Sequence, residues 1–239
     1  MQTYEFDYLA YKKSIKKRKN YSVLIMFLVI TVLMCTCFLI LPKTRTSTYY
    51  FIRINSYLTY KEANKLANEL QSKSAGGYIH FDGKYHVFAS FYPSQQEADN
   101  VLSNLIDSYP TADIYSLETK SIKTSHFDNV ITNSLECQMN IINQLYNMIV
   151  GLDKNELSDN QFTIMFNRLK KDFDSTKSEY KSFYKHTSNA NIITAYDTLD
   201  NISKSLDNIS NLTPKANCYQ YKYELINIVF NHSSFLDCL

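Results

Sequence analysis

Apolar positions fall into three regimes along the chain. From Tyr21 to Leu41 they run on without interruption, 21 residues that include no charge. At about 1.5 Å per residue such a helix matches the roughly 30 Å hydrocarbon core of a bilayer. It also lacks the polar stripe of a helix lying on a soluble core. From about 49 to 118 short alternating runs exchange with short helical ones. From about 120 to the end, apolar residues recur with a period near 3.6.

The middle regime is internally repeated. Ile52 to Ala63 and Val87 to Ala98 match at an offset of 35 residues, with Tyr57/Tyr92, Glu62/Glu97, Ala63/Ala98 and Leu70/Leu105 as identical pairs. Each copy reads strand, turn, helix. Thr59-x-x-Glu62 and Ser94-x-x-Glu97 have the form of capping boxes, in which the hydroxyl accepts from an early helix N–H and the Glu returns to the cap's own N–H. Ala63, Leu66, Ala67 and Leu70 share one helix face. Ala98, Val101, Leu102, Leu105, Ile106 and Tyr109 share another, ended by Pro110. A strand over about Ala112 to Leu117 completes the unit. Between the copies, residues 78–87 read as a hairpin whose loop, Phe81-Asp82-Gly83, puts Gly83 at a left-handed bulge position.

That register divides the side chains. Ile52, Ile54, Ile79, Tyr85, Val87, Ala89 and Ile114 turn toward the helices. Phe51, Arg53, Asn55, Tyr78, His80, His86, Phe88, Ser90 and Tyr115 turn away. The expected fold is β-α-β-β-α-β, a ferredoxin-like sheet with both helices on one face. An aromatic surface with a few hydrogen-bonding groups suits sugar rings, which offer C–H faces and hydroxyls. The other outcome is that this face packs on the C-terminal helices, because a wet aromatic sheet face is costly.

The repeated units resemble the SPOR family. Its pattern of a "V-x-V-G-S-F" strand, an "E-A" helix, a "Y-x-V-x-V-G-P-F" strand and a second "E-A" helix corresponds to Ile52 through Tyr57, Glu62-Ala63, Tyr85 through Tyr92, and Glu97-Ala98. Asn55 and Ser90 stand at the family's two Gly positions, and Arg53 where the family often has Gln. The resemblance implies a non-enzymatic module whose open sheet face binds glycan strands of septal peptidoglycan. It implies no cofactor and a bacterial cell-envelope protein acting in division or sporulation.

The last regime predicts four helices. The first carries Phe127, Val130, Ile131, Leu135, Ile141, Ile142, Leu145, Met148 and Ile149 and stops at Gly151. The second is capped by Ser158 and Gln161 and uses Phe162, Met165, Phe166, Leu169, Phe173, Tyr180 and Phe183. Ile192 to Ile209 mark the third, and Thr213-Pro214 starts the fourth, with Tyr221, Leu225, Ile228, Val229 and Phe235. Short connections point to an antiparallel bundle.

Charge then orients the chain. The net charge is +2, but residues 1–20 hold six basic groups against Glu5 and Asp7, which leaves the rest at −2. The basic cluster before the apolar run keeps the N-terminus cytoplasmic and sends residues 43–239 outside. A body without a basic face disfavours nucleic acid as the main partner. The organisation expected is α+β: a cytoplasmic tail at 1–20, a membrane helix at 21–41 that meets the lipid bilayer, a linker at 42–48, a SPOR-like domain at 49–118 and a bundle at 119–239 open to a septal protein partner. If the aromatic face is lost to packing, the chain is instead an envelope scaffold that no longer binds glycan.

No catalytic or metal site is expected. Cys137, Cys218 and Cys238 lack metal-ligand spacing and read as reduced, buried thiols, with one disulfide as the alternative in an oxidising exterior. His126, His186 and His232 are far apart and read as surface or boundary residues. A wall hydrolase would need a nucleophile–base pair or a metal signature, which the sequence lacks, or two carboxylates facing in a cleft, and Asp172/Asp174 and Glu156/Asp159 read first as solvated helix charges.

Overall fold

Alternation of apolar and polar residues draws out β1 (Thr48–Tyr57), and Thr59 stops it by capping α1 (Tyr60–Ser72). The chain then returns through the hairpin of β2 (Tyr78–Phe81) and β3 (Tyr85–Tyr92), α2 (Gln95–Leu105) and β4 (Asp113–Glu118). The four strands form one antiparallel sheet in the order β2-β3-β1-β4. The computed structural model describes residues 47–119 and 129–239. The apolar run at 21–41 lies outside them, and among the described residues no helix is long and apolar enough to cross a membrane.

Both repeat caps are present, with a change in detail. The Thr59 and Ser94 hydroxyls accept from the N–H of Glu62 and Glu97, as expected. The two glutamates do not turn back to the cap N–H. Each accepts a hydrogen bond from the cap's hydroxyl instead, at 2.7 Å for Glu62 and 3.0 Å for Glu97. The second helix also stops at Leu105, ahead of Tyr109 and Pro110.

The hairpin turns one residue later than the sequence suggested. His80 pairs with His86 and Phe81 with Tyr85, so the loop is Asp82-Gly83-Lys84. Gly83 sits at φ +105° there, a conformation closed to most side chains. The shift keeps even-numbered residues opposite even-numbered ones, so the division of β2 and β3 between faces survives up to Ala89.

Behind the sheet, α1 and α2 cover Ile52, Ile54, Val87 and Ala89 together with Ala63, Ala67, Leu70 and Ala98. Gly77 allows the chain to leave α1. Its φ is +62°, and a Cβ would stand 2.4 Å from the Ala67 carbonyl oxygen.

The C-terminal half is helical: α3 (Asn129–Asp153), α4 (Asp159–Tyr184), α5 (Ala190–Ile209) and, after a 3-10 turn at Lys215–Asn217, α6 (Cys218–Cys238). Gly151 does not stop α3, which runs two residues further. What the glycine permits is close approach of Leu157, whose side-chain carbons would lie 2.8 Å from a Cβ. Ser158 caps α4 with a complete box: its hydroxyl accepts from Gln161 N–H, and the Gln161 side chain accepts from Ser158 N–H at 2.9 Å. Ser158→Ala should cost about 1 kcal/mol in urea unfolding, and an unchanged midpoint would mean the cap is idle.

Leu225, Ile226, Ile228, Val229 and Phe230 leave α6 almost no polar side in its middle. Such a helix must be covered on two sides, and it is. The helices take one side and the sheet takes the other, in a single core running from Phe51, Phe88 and Phe91 to Leu145, Leu199 and Phe235. Residues Thr44–Leu239 accordingly form one compact unit, and the 118/119 boundary does not separate two cores.

Candidate functional site

The sheet face away from α1 and α2 is where the sequence placed the site. Seven of the nine residues assigned to it are there. Asn55 and Ser90 are not, because β1 and β3 do not run in simple register. Ile52 pairs with Ser90, Arg53 with Phe88 and Asn55 with Val87, so Ala89 and Ile54 are each extra residues at a bulge. A bulge shifts the alternation by one. Ser90 thus shares the side of Ile52, where its hydroxyl donates to Tyr92 Oη at 3.1 Å. Asn55 shares the side of Val87 and donates to Tyr57 Oη at 3.4 Å. The two bulges cancel beyond residue 55, and Ser56 joins His86 on the site face.

Helix α6 closes the centre of this face, so the expectation of an open aromatic surface is corrected there. Phe230 stacks on Phe51 (ring centroids 4.9 Å), Tyr78 (5.5 Å) and His80 (4.3 Å), and lies 5.6 Å from Phe88. Phe51 and Phe88 are 0 % exposed. Tyr78 reaches further into α6, donating to Asn227 Oδ1 at 3.3 Å and meeting Tyr223 edge-on. Burial pushes the Tyr78 hydroxyl up to about 12 and holds the His80 imidazole below its usual value. The backbone follows: a Cβ on Gly76 would lie 3.1 Å from Ile226 Cδ1, and Lys222 Nζ donates to the Ser74 carbonyl at 3.0 Å. Phe230 carries this closure, yet its signal in the sequence is only the lack of a polar side on α6.

What α6 leaves open is polar. Arg53 grips Asp113 with two N–H groups, one at 2.8 Å from Nε to Oδ1 and the other from Nη2 to Oδ2. Its guanidinium lies over the Tyr115 ring, 5.4 Å from the centroid. The Asp113 hydrogen bond holds the Arg53 pKa above its ordinary value, against the cost of partial burial. His86 is fixed at both nitrogens. Asp82 Oδ1 lies 2.5 Å from Nε2, which makes that nitrogen the donor and leaves Nδ1 to accept from Ser56 Oγ at 2.6 Å. Arg53 Nη1 lies 3.5 Å from the same Nδ1.

Ser56, His86 and Asp82 thus stand in hydrogen-bonded sequence, but Nδ1 is shared with a cation and the ring is almost fully buried. The array holds an imidazole in place. The groups it offers to solvent are the Asp82 and Asp113 carboxylates, 42 % and 48 % exposed, and the Arg53 side chain, 25 % exposed. These can bind hydroxyls and a carboxylate against the Tyr115 ring. Asp82 and Ser56 were missed in the sequence. Asp82 falls in the predicted turn, and the bulge that turns Ser56 outward leaves no mark in the apolar pattern.

No group of His, Cys, Asp or Glu suited to a metal occurs among the described residues. Cys137, Cys218 and Cys238 are free thiols, and burial pushes Cys218 up to about 12. His186 is exposed, while His126 lies outside the described residues. His232 is neither surface nor boundary: it is 1 % exposed, its Nδ1 is 2.8 Å from Gln138 Oε1, and Nε2 has no hydrogen-bond partner among the described residues.

No family model matches the chain, and no curated protein matches it. Among solved structures, it is similar to the peptidoglycan binding domain of the B. subtilis cell wall lytic enzyme CwlC, determined in solution. The match is 22% identical, covers 34% of this chain and 100% of that one, and has a TM-score of 0.26. At that score the likeness carries no argument, and the reading of the site rests on its own residues.

Proposed function

We propose that this chain is a non-catalytic, single-pass protein of the bacterial cell envelope that binds peptidoglycan glycan strands, at a septum of division or sporulation. The apolar run at 21–41 anchors it with the N-terminus in the cytoplasm, and residues 43–239 lie outside. The observation that carries the binding claim is the polar end of the sheet face: Arg53 clamped by Asp113, laid over Tyr115 and flanked by Asp82. A flat ring beside exposed carboxylates and a guanidinium fits a saccharide whose hydroxyls need acceptors and whose acidic groups need a cation. The resemblance of the repeated units to the SPOR pattern supports the same ligand. Glycan contact is confined to this end, because Phe230 holds the central aromatics.

The full-length chain, solubilised in detergent, should sediment with purified sacculi. An Arg53→Ala, Tyr115→Ala double variant should lose most of that retention. Failure of the wild-type chain to sediment, or equal retention of the variant, would overturn the binding claim. A second reading, an envelope scaffold that no longer binds glycan, is favoured by the burial of Phe51 and Phe88. It predicts the first of those failures. The bundle would then serve a septal protein partner.

A further inference from the structure

At the tip of the sheet a second aromatic group stands in the open. Phe81 ends β2, Tyr85 begins β3 opposite it, and Tyr60 opens α1. The rings follow one another, with centroids 4.7 Å apart from Phe81 to Tyr85 and 5.8 Å from Tyr85 to Tyr60. Phe81 is 58 % exposed and Tyr60 56 %, and Leu58, 79 % exposed, lies in the turn beside them. Burial does not account for Phe81 and Tyr60, since more than half of each remains in water, while Tyr85 between them is partly buried against the core behind the sheet. They stay on the α1 side of the sheet, clear of Phe230. The same hairpin also carries the polar end: Asp82 follows Phe81, and His86 follows Tyr85. The two groups of residues therefore meet at one loop, and the Asp82–His86 part of the polar end lies with the rings at the end of β1 remote from Thr48, on the opposite face of the sheet.

We infer that Tyr60, Tyr85 and Phe81 form a stacking shelf for a sugar ring of the glycan strand, supplying the aromatic contact that the covered face cannot. This rests on the glycan-binding reading above. Saccharide is the occupant that fits, because the shelf is aromatic, is bordered by hydrogen-bonding groups and meets the polar end at one loop. The Tyr60 hydroxyl donates to Asn64 Oδ1 at 3.5 Å, and Asp82 and Lys84 stand exposed in the loop. Pyranose C–H faces pack on such rings while their hydroxyls reach the border. The shared loop lets one strand engage both.

The test uses the detergent-solubilised full-length chain and soluble glycan strands stripped of stem peptides by an amidase. Tyr60→Ala and Phe81→Ala change exposed side chains, so their melting temperatures should stay at the wild-type value. Each should weaken glycan binding about three- to ten-fold, as loss of one ring contact predicts. If both variants bind as tightly as wild type while Arg53→Ala, Tyr115→Ala does not, the shelf is overturned and the glycan reading stands. If the wild-type chain ignores stripped strands, both fall. If the variants abolish self-association in sedimentation velocity and leave glycan binding intact, the occupant is a second copy of the chain and the inference is wrong.

Discussion

Replacing Phe230 by Ala should destabilise residues 44–239 by about 3–5 kcal/mol, the usual cost of truncating a buried Phe. For a unit of this size that corresponds to a fall in melting temperature of about 10 °C. The expectation is large because the ring serves two structures at once. It stacks on Phe51, Tyr78 and His80 from the sheet and belongs to the same core as Val229 and Phe235 of α6. Near-UV circular dichroism reports it well, since the chain has 20 Tyr and no Trp. Sheet and bundle should still melt in one transition, shifted down. A loss under about 1 kcal/mol, or two separate transitions in the wild-type protein, would show that α6 does not unite them.

Acid should weaken the fold before the carboxylates titrate. His232 is buried among apolar groups, with the Tyr49 ring edge-on at 5.9 Å and Gln138 on Nδ1. Gln138 is committed in turn, donating to Ser134 Oγ at 3.0 Å. No carboxylate is among these partners, so a charge on the ring would go uncompensated, and desolvation lowers the pKa from 6.5 to about 4. The unfolded chain therefore takes the proton first. The stabilisation from a neutral His232 is complete above about pH 6.5, declines as pH falls, and is gone below about pH 4. Its extent is about 3 kcal/mol. His80, held low for the same reason, acts in the same direction. His232→Asn keeps a donor for Gln138 and removes the titration. Urea midpoints measured from pH 7 to pH 4 should fall less steeply in that variant. Parallel slopes would refute the assignment.

The sequence disclosed the sheet through repetition. Thr59 with Glu62 and Ser94 with Glu97 placed both helix starts, and the alternation around Gly83 placed the hairpin within one residue. It misplaced Asn55 and Ser90 because a bulge is a local compromise in pairing, and the apolar pattern on either side reads the same with or without one. Those two residues stand where the SPOR pattern has glycine, and each is the second residue of a bulge. The covered face was harder to foresee. Phe51 and Phe88 carry no information about whether sugar or another helix lies over them. That information sits in α6, about 140 residues further along, where Ile226 and Phe230 extend the apolar surface past what one neighbour can bury. The burial of His232 is hidden for the same reason, since a polar residue on a helix apolar all round has no outer side to occupy.

The position of α6 far downstream of the sheet has a consequence for biosynthesis. Residues 49–118 leave the ribosome more than a hundred residues before Phe230. At about 5–20 residues per second the aromatic side of the sheet then waits on the order of 10 s for its cover. Through that interval the nascent sheet is a sticky, half-finished object, which makes it a client for whatever holdase works where the protein emerges.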